Sequence, residues 1–166
     1  MKGQNHYKPL KSGVFLKQIQ MIHLALLAGM TIATIFAANL DLLNLDWASL
    51  DFTAITYSEL LIPIGAIVLS YITAKNMLKK HLNDTSLKKS VSYYQTVFII
   101  QAAILEFNYF ILIFKMKTVT AGSLAGLALI LLYFISLRPT KSKIIRDLQL
   151  DASDANQFND GNEYLT

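Results

Sequence analysis

The chain contains no cysteine, and only 16% of its 166 residues are charged. The absence of cysteine excludes disulfide bonds, thiolate metal sites and cysteine nucleophiles. The charged share is well below the about 25% of a typical soluble domain, whereas the hydrophobic share of 54% is above the usual about 45–50%. With a mean hydropathy of +0.42, so short a chain cannot enclose its apolar residues in one water-soluble core. The composition therefore predicts a protein of the lipid bilayer and argues against a soluble enzyme.

Four apolar stretches are each long enough to cross a membrane as a helix. About 20 mainly apolar residues span the about 30 Å of hydrocarbon, and a helix satisfies its own backbone donors and acceptors there. The stretches are 14–38, 57–74, 91–114 and 119–137. Pro63 lies near the start of the second, where a missing amide is tolerated. The sequence predicts an all-α integral membrane protein with four transmembrane helices in an antiparallel bundle.

The basic residues predict the orientation, since Lys and Arg collect on the cytoplasmic side. Of the 15 basic residues, only Lys115 and Lys117 lie in the connection between the third and fourth stretches. The other basic residues lie before the first stretch or at its start, as Lys17 does, between the second and third stretches, or after the fourth. Both termini are therefore expected in the cytoplasm. A cleaved signal peptide is the alternative for the first stretch, but that stretch exceeds the about 7–15 apolar residues of a signal core.

The sequence divides into four regions by composition. They are a cytoplasmic leader over 1–13, a transmembrane domain over 14–137, an amphipathic basic segment over 138–150 and a polar, acidic tail over 151–166. The basic segment suits anionic headgroups, and the tail is expected to be disordered. Within the transmembrane domain, the connection 39–56 carries three aspartates and no basic residue. It is expected to be a solvated outer connector, with a cation-attracting vestibule as the alternative.

Small residues recur at helical spacing in two of the stretches. Such residues let helix backbones approach closely in a membrane. The positions are Ala25, Gly29, Ala33 and Ala37 in the first stretch, and Gly122 and Gly126, a GxxxG motif, in the fourth. Packing within the chain is the favoured interpretation, and a seam between subunits is the alternative.

Glu106 lies deep within the third stretch, where an ionised carboxyl group costs roughly 3 kcal/mol on insertion scales. Counting the helical rise places Thr31 and Ser123 at a matching depth, so both are expected hydrogen-bond partners. Gln101 and Asn108 add to a polar face on the same helix. One interpretation is a protonatable or cation-binding site. The other is a neutral glutamic acid that holds the helices in register.

Other polar groups give little indication of catalysis or of a ligand. His23 and Gln20 are expected to form a polar patch at the membrane interface, with a water relay to Glu106 as the alternative. The sequence lacks HExxH, GxSxG and P-loop motifs, and its three histidines are scattered. We therefore expect no catalytic site, no cofactor and no metal. Because apolar blocks separate the basic residues, we expect no nucleic-acid partner.

The second half of the chain resembles a group of small, uncharacterised four-span bacterial membrane proteins. The third stretch carries QTVFII at 95–100 and AILE at 103–106, and the fourth is followed by LRPTK at 137–141 and KIIRDL at 143–148. In that group the third span resembles Gln-Thr-x-x-Ile-Ile followed by Ala-Leu-Leu-Glu-Gly-Pro. Here Glu106 is kept, and Phe107 and Asn108 stand in place of Gly-Pro. The resemblance implies a multi-pass protein of a Bacteroidetes-like inner membrane and supplies no reaction.

These features favour a non-enzymatic packing, assembly or accessory component of the inner membrane. Its partners would be the lipid bilayer and either further copies of itself or another membrane protein. The alternative is a small oligomeric transporter or channel subunit that uses Glu106 as a proton or cation site, with Gln101 and Asn108 lining the path.

Overall fold

The computed structural model describes residues 11–39, 57–81, 86–115, 120–161 and 164–165. Within these ranges the chain forms helices and no strand, apart from one isolated bridge between Lys11 and Tyr164. The helices are α1 (Ser12–Asn39), α2 (Tyr57–His81), α3 (Leu87–Lys115), α4 (Ala121–Ser136), α5 (Lys141–Asp147) and α6 (Ala152–Asn159). The all-α prediction is confirmed. The predicted acidic connection, nearly all of the leader, and Lys117 lie outside the described residues.

Three helices, α1 to α3, are long and apolar enough to cross a membrane. Helix α4 makes a fourth candidate together with α5, although this pair bends by 89°. In the apolar windows of α1, α2 and α3, only 17%, 22% and 44% of the residues are buried. Large apolar side chains therefore face outward, including Leu24 at 64% exposure and Phe107 at 66%. Such a surface suits hydrocarbon better than water, in agreement with helices that are apolar enough to span a membrane.

Helix α3 is central, because it packs against α1, α2 and α4. Its buried side chains recur every three or four residues and so form one continuous stripe. Members of this stripe include Val91, Tyr94, Phe98, Ala102, Leu105, Tyr109 and Leu112. Helix α2 packs against both α3 and α4, whereas α1 packs mainly against α3.

The helices extend beyond the apolar stretches predicted from the sequence. Helix α2 continues to His81 and α3 begins at Leu87, although the stretches end at 74 and begin at 91. These extra turns carry lysine and other residues of good helix propensity, so the helix continues after the hydrophobic residues stop. Helices α1 and α3 begin at the same end of the structure at which α2 and α4 finish. We call this the basic end.

The tail differs from the disorder expected over 151–166. Asp151 caps α6 by accepting a hydrogen bond from the amide of Asp154. Phe158 is completely buried, and its ring meets Phe15 of α1 edge-on with centroids 6.4 Å apart. Tail composition is polar on average, but this one aromatic residue provides the apolar contact that orders the segment.

Backbone and polar contacts further fix the tail at the basic end. The Ser12 hydroxyl donates to the carbonyl of Asp160 at 3.0 Å, and the Gly13 amide donates to the carbonyl of Gly161 at 3.3 Å. The Lys141 ammonium donates to the carbonyl of Asn159 at 2.8 Å. The start of α1, the start of α5 and the tail therefore form one contact region.

Candidate functional site

Glu106 lies in the groove between α3 and α1. Its Oε1 atom is 3.8 Å from the place that a Cβ atom at Gly29 would occupy, so the missing side chain of Gly29 leaves room for the carboxyl group. The Glu106 side chain is partly exposed. Among the described residues, no hydrogen bond or ion pair reaches this carboxyl group. The groove therefore presents a carboxyl group on a surface that otherwise suits lipid.

The residues expected to bond Glu106 lie elsewhere. The Thr31 hydroxyl donates to the carbonyl of Leu27 in its own helix at 2.9 Å. The Ser123 hydroxyl donates to the carbonyl of Thr120 at 2.8 Å. Hydroxyl groups commonly bond the backbone three or four residues earlier. Counting the helical rise gave the depth of these residues but not the direction in which each side chain points.

The polar face predicted on α3 separates into unconnected groups. The Gln101 amide donates to the Tyr133 hydroxyl of α4 at 3.4 Å. The Asn108 amide donates to the carbonyl of Ile104 within α3 at 2.8 Å. Gln101 thus joins α3 to α4, whereas Asn108 bonds only its own helix. The structure does not bring either side chain to Glu106.

The GxxxG motif packs α4 against α2. A Cβ atom at Gly126 would lie 3.1 Å from Pro63 Cγ, and a Cβ atom at Gly122 would overlap the Glu59 carboxylate. Pro63 is fully buried at this crossing. The close approach is therefore used within the chain.

Some small residues of α1 pack against the rest of the chain, and others are exposed. Gly29 faces Glu106, Ala37 is buried, and Ala33 is partly buried against the core. Ala25 is exposed. Most of this stripe therefore packs against the chain itself.

Sequence reasoning missed the role of Glu59. The Thr120 hydroxyl donates to Glu59 Oε1 at 2.5 Å, and Thr120 also caps α4 by accepting from the Ser123 amide. Glu59 thereby places a carboxylate at the N-terminal end of α4, where the helix dipole favours negative charge. The TxxS capping pattern at 120–123 was the available signal, but the pairing of α2 with α4 was needed to interpret it.

His23 and Gln20 bind the end of α4, and His23 is only 6% exposed. His23 Nε2 lies 2.9 Å from the Phe134 carbonyl oxygen, and the two rings stack with centroids 5.0 Å apart. Because a carbonyl oxygen only accepts, Nε2 carries the proton. The Gln20 amide donates to the carbonyl of Pro139 at 3.0 Å. These two side chains of α1 therefore bind one carbonyl in the last turn of α4 and one in the connection to α5, and the Phe134 carbonyl also accepts from the Leu137 amide at 3.1 Å. This differs from the expected interfacial patch.

We predict that His23→Leu lowers stability, because the substitution removes a buried hydrogen bond to the Phe134 carbonyl and leaves the Leu137 amide as the remaining donor. A hydrogen bond contributes about 0.5–1.5 kcal/mol to stability. Thermal unfolding of the purified protein in detergent would show a lower midpoint. The control is Met21→Leu, an exposed position on the same helix. Equal midpoints for His23→Leu and the wild type would contradict the prediction.

Comparison with known proteins finds no matching family model, no similar curated protein and no similar solved structure. The resemblance to four-span bacterial proteins therefore stays a prediction.

Proposed function

We propose that this protein is a non-enzymatic accessory component of the bacterial inner membrane. In this proposal the four long helices form an antiparallel bundle with both termini in the cytoplasm. The groove at Glu106 would bind a transmembrane helix of a different membrane protein, one that presents a basic side chain at that depth.

The orientation is supported by the distribution of charge. The start of α1, the end of α2, the start of α3 and the end of α4 share the basic end. Lysines cluster at the end of α2 and the start of α3, and basic residues follow α4. Because positively charged loops stay in the cytoplasm, the basic end is placed there.

The observation that carries the proposal is the carboxyl group of Glu106 at a lipid-facing groove. Acidic residues in a membrane normally pair or face the protein interior, because hydrocarbon solvates them poorly. This chain has no Lys or Arg between Lys17 and Lys75, between Lys89 and Lys115, or between Lys117 and Arg138. A second copy therefore supplies no cation at the depth of Glu106, which favours a partner of different sequence.

The second candidate, a transporter or channel subunit, requires Gln101, Glu106 and Asn108 to line one path. The separate hydrogen bonds of Gln101 and Asn108 favour the accessory role over conduction.

We predict that Glu106→Leu weakens capture of the partner by about tenfold or more, since a hydrogen bond to a charged group is worth about 1.5–3 kcal/mol. A photo-crosslinking amino acid at Ile32, exposed on α1, would trap the partner in living cells. Quantitative mass spectrometry after purification in mild detergent would then measure it. The control is Phe107→Leu, the exposed neighbour of Glu106.

Three outcomes would contradict the proposal. They are crosslinks only between copies of this chain, no crosslinked protein at all, or equal capture by the wild type and Glu106→Leu. In proteoliposomes, a cation or proton flux that Glu106→Gln abolishes would favour conduction instead.

A further inference from the structure

A cleft opens at the basic end between α2, α3, α4 and α5. Its volume is about 460 Å³, within the range of about 300–1,000 Å³ that is usual for small-molecule sites. One part of the wall is apolar and includes Val97, Phe98 and Leu137. All three side chains are buried; Val97 and Phe98 belong to α3, a candidate membrane span, and Leu137 follows the last residue of α4. The cleft therefore has a hydrophobic side that continues toward the level of the hydrocarbon.

Four basic side chains also line the cleft. The basic lining residues are Lys75 and Lys79 of α2 and Lys143 and Arg146 of α5. Lys75 Nζ lies 5.6 Å from the centroid of the Tyr71 ring, another lining residue, and this cation–π contact holds the ammonium group at the cleft.

Asp147 is the one acid among the lining residues, and it is already engaged. The Arg146 Nε atom lies 3.4 Å from its Oδ1 atom, and the Tyr94 hydroxyl donates to the same carboxylate. Among the lining residues, the positive charge of the lysines therefore exceeds the negative charge of the carboxylate.

Hydroxyl and amide groups face the same space. Tyr133 and Gln101 line the cleft and are connected by their hydrogen bond.

Burial lowers the pKa of the Lys143 ammonium group, and the nearby Asp147 carboxylate partly counters this effect. An additional anion would favour the charged form of Lys143 further.

We propose that this cleft binds an anionic phospholipid, with its phosphate among Lys75, Lys79 and Lys143 and an acyl chain along Val97 and Phe98. Charge complementarity assigns the phosphate, and the apolar wall assigns the chain. Basic pockets between transmembrane helices on the cytoplasmic side bind such headgroups in other proteins. This site is separate from the groove at Glu106, so it stands independently of the proposed partner.

The test compares two double variants that each remove two positive charges from the basic end. Lys75→Gln with Lys79→Gln changes the cleft, whereas Lys80→Gln with Lys89→Gln changes exposed residues that do not line it. The full chain would be placed in nanodiscs of phosphatidylcholine with a varied share of phosphatidylglycerol. Native mass spectrometry would then measure the lipid retained by the protein.

We expect the cleft variant to bind phosphatidylglycerol about 25-fold more weakly than the wild type, because two lysines are removed and each contributes about fivefold to binding of an anionic headgroup. The control variant should stay within about twofold of the wild type. Equal losses in both variants, or no loss in either, would overturn the proposal. Melting temperatures in pure phosphatidylcholine check the fold, and Lys79→Glu, a charge reversal at one exposed position, provides a second test of the same cleft.

Competition with glycerol phosphate separates the two sources of a phosphate group. A lipid site requires the acyl chain, so millimolar glycerol phosphate should leave the retained phosphatidylglycerol unchanged. If glycerol phosphate displaced the lipid when both are present at the same concentration, the ligand would be a soluble phosphate compound. This result would overturn the lipid assignment.

Discussion

Replacing Phe158 with alanine is expected to detach α6 from the start of α1. Phe158 is completely buried and supplies the aromatic contact to Phe15. A buried Phe→Ala substitution costs about 3–5 kcal/mol, which exceeds what the few hydrogen bonds at the tail can offset at about 1 kcal/mol each. Hydrogen exchange followed by mass spectrometry would report faster exchange of the α6 amides, approaching that of an unstructured peptide.

The matched control for this prediction is Asn156→Ala, at an exposed position in the same helix. It should keep the protection of α6 close to that of the wild type. Unchanged protection in Phe158→Ala would mean that polar contacts alone hold the tail, contrary to the packing described above.

The second large effect is expected for Gly126→Leu. A side chain at this position meets Pro63 across the crossing of α2 and α4, where a Cβ atom alone would lie 3.1 Å from Cγ. Forcing extra atoms into a packed contact costs about 1–3 kcal/mol, and a whole leucine side chain should reach the upper part of that range. Thermal unfolding in detergent should show a clearly lower midpoint than for the wild type.

Gly65→Leu provides the control, since it places the same side chain on α2 where nothing lies within 4 Å of the added Cβ atom. Leucine also has a better helix propensity than glycine, so this variant should equal or exceed the stability of the wild type. Equal losses in the two variants would show that the close approach of α4 to α2 does not matter.

Properties that depend on one helix could be predicted from the sequence. The apolar stretches gave the approximate position of the long helices, and the glycine spacing indicated where a close approach was needed. The physical reason is that hydrophobic length and residue size act locally, whatever the neighbouring helix is.

Properties that depend on the pairing of helices could not be predicted. The depth of Glu106 followed from the rise per residue, but which side chains face it depends on the rotation of α1 and α4 about their axes. His23 binds a carbonyl group in α4, which the sequence of α1 alone does not indicate. The tail shows the limit of average composition, since Phe158 and Leu165 are buried in a segment that is otherwise mostly polar.

The packing of α6 on α1 has a consequence for biogenesis. The ribosome adds Phe15, in α1, before it synthesises α2 to α6. It adds Phe158, in α6, only after α1 to α5 have been synthesised. Phe15 at the start of α1 therefore lacks its contact with Phe158 while the following helices are synthesised. A product that stops short of residue 158 lacks this aromatic contact between α6 and α1.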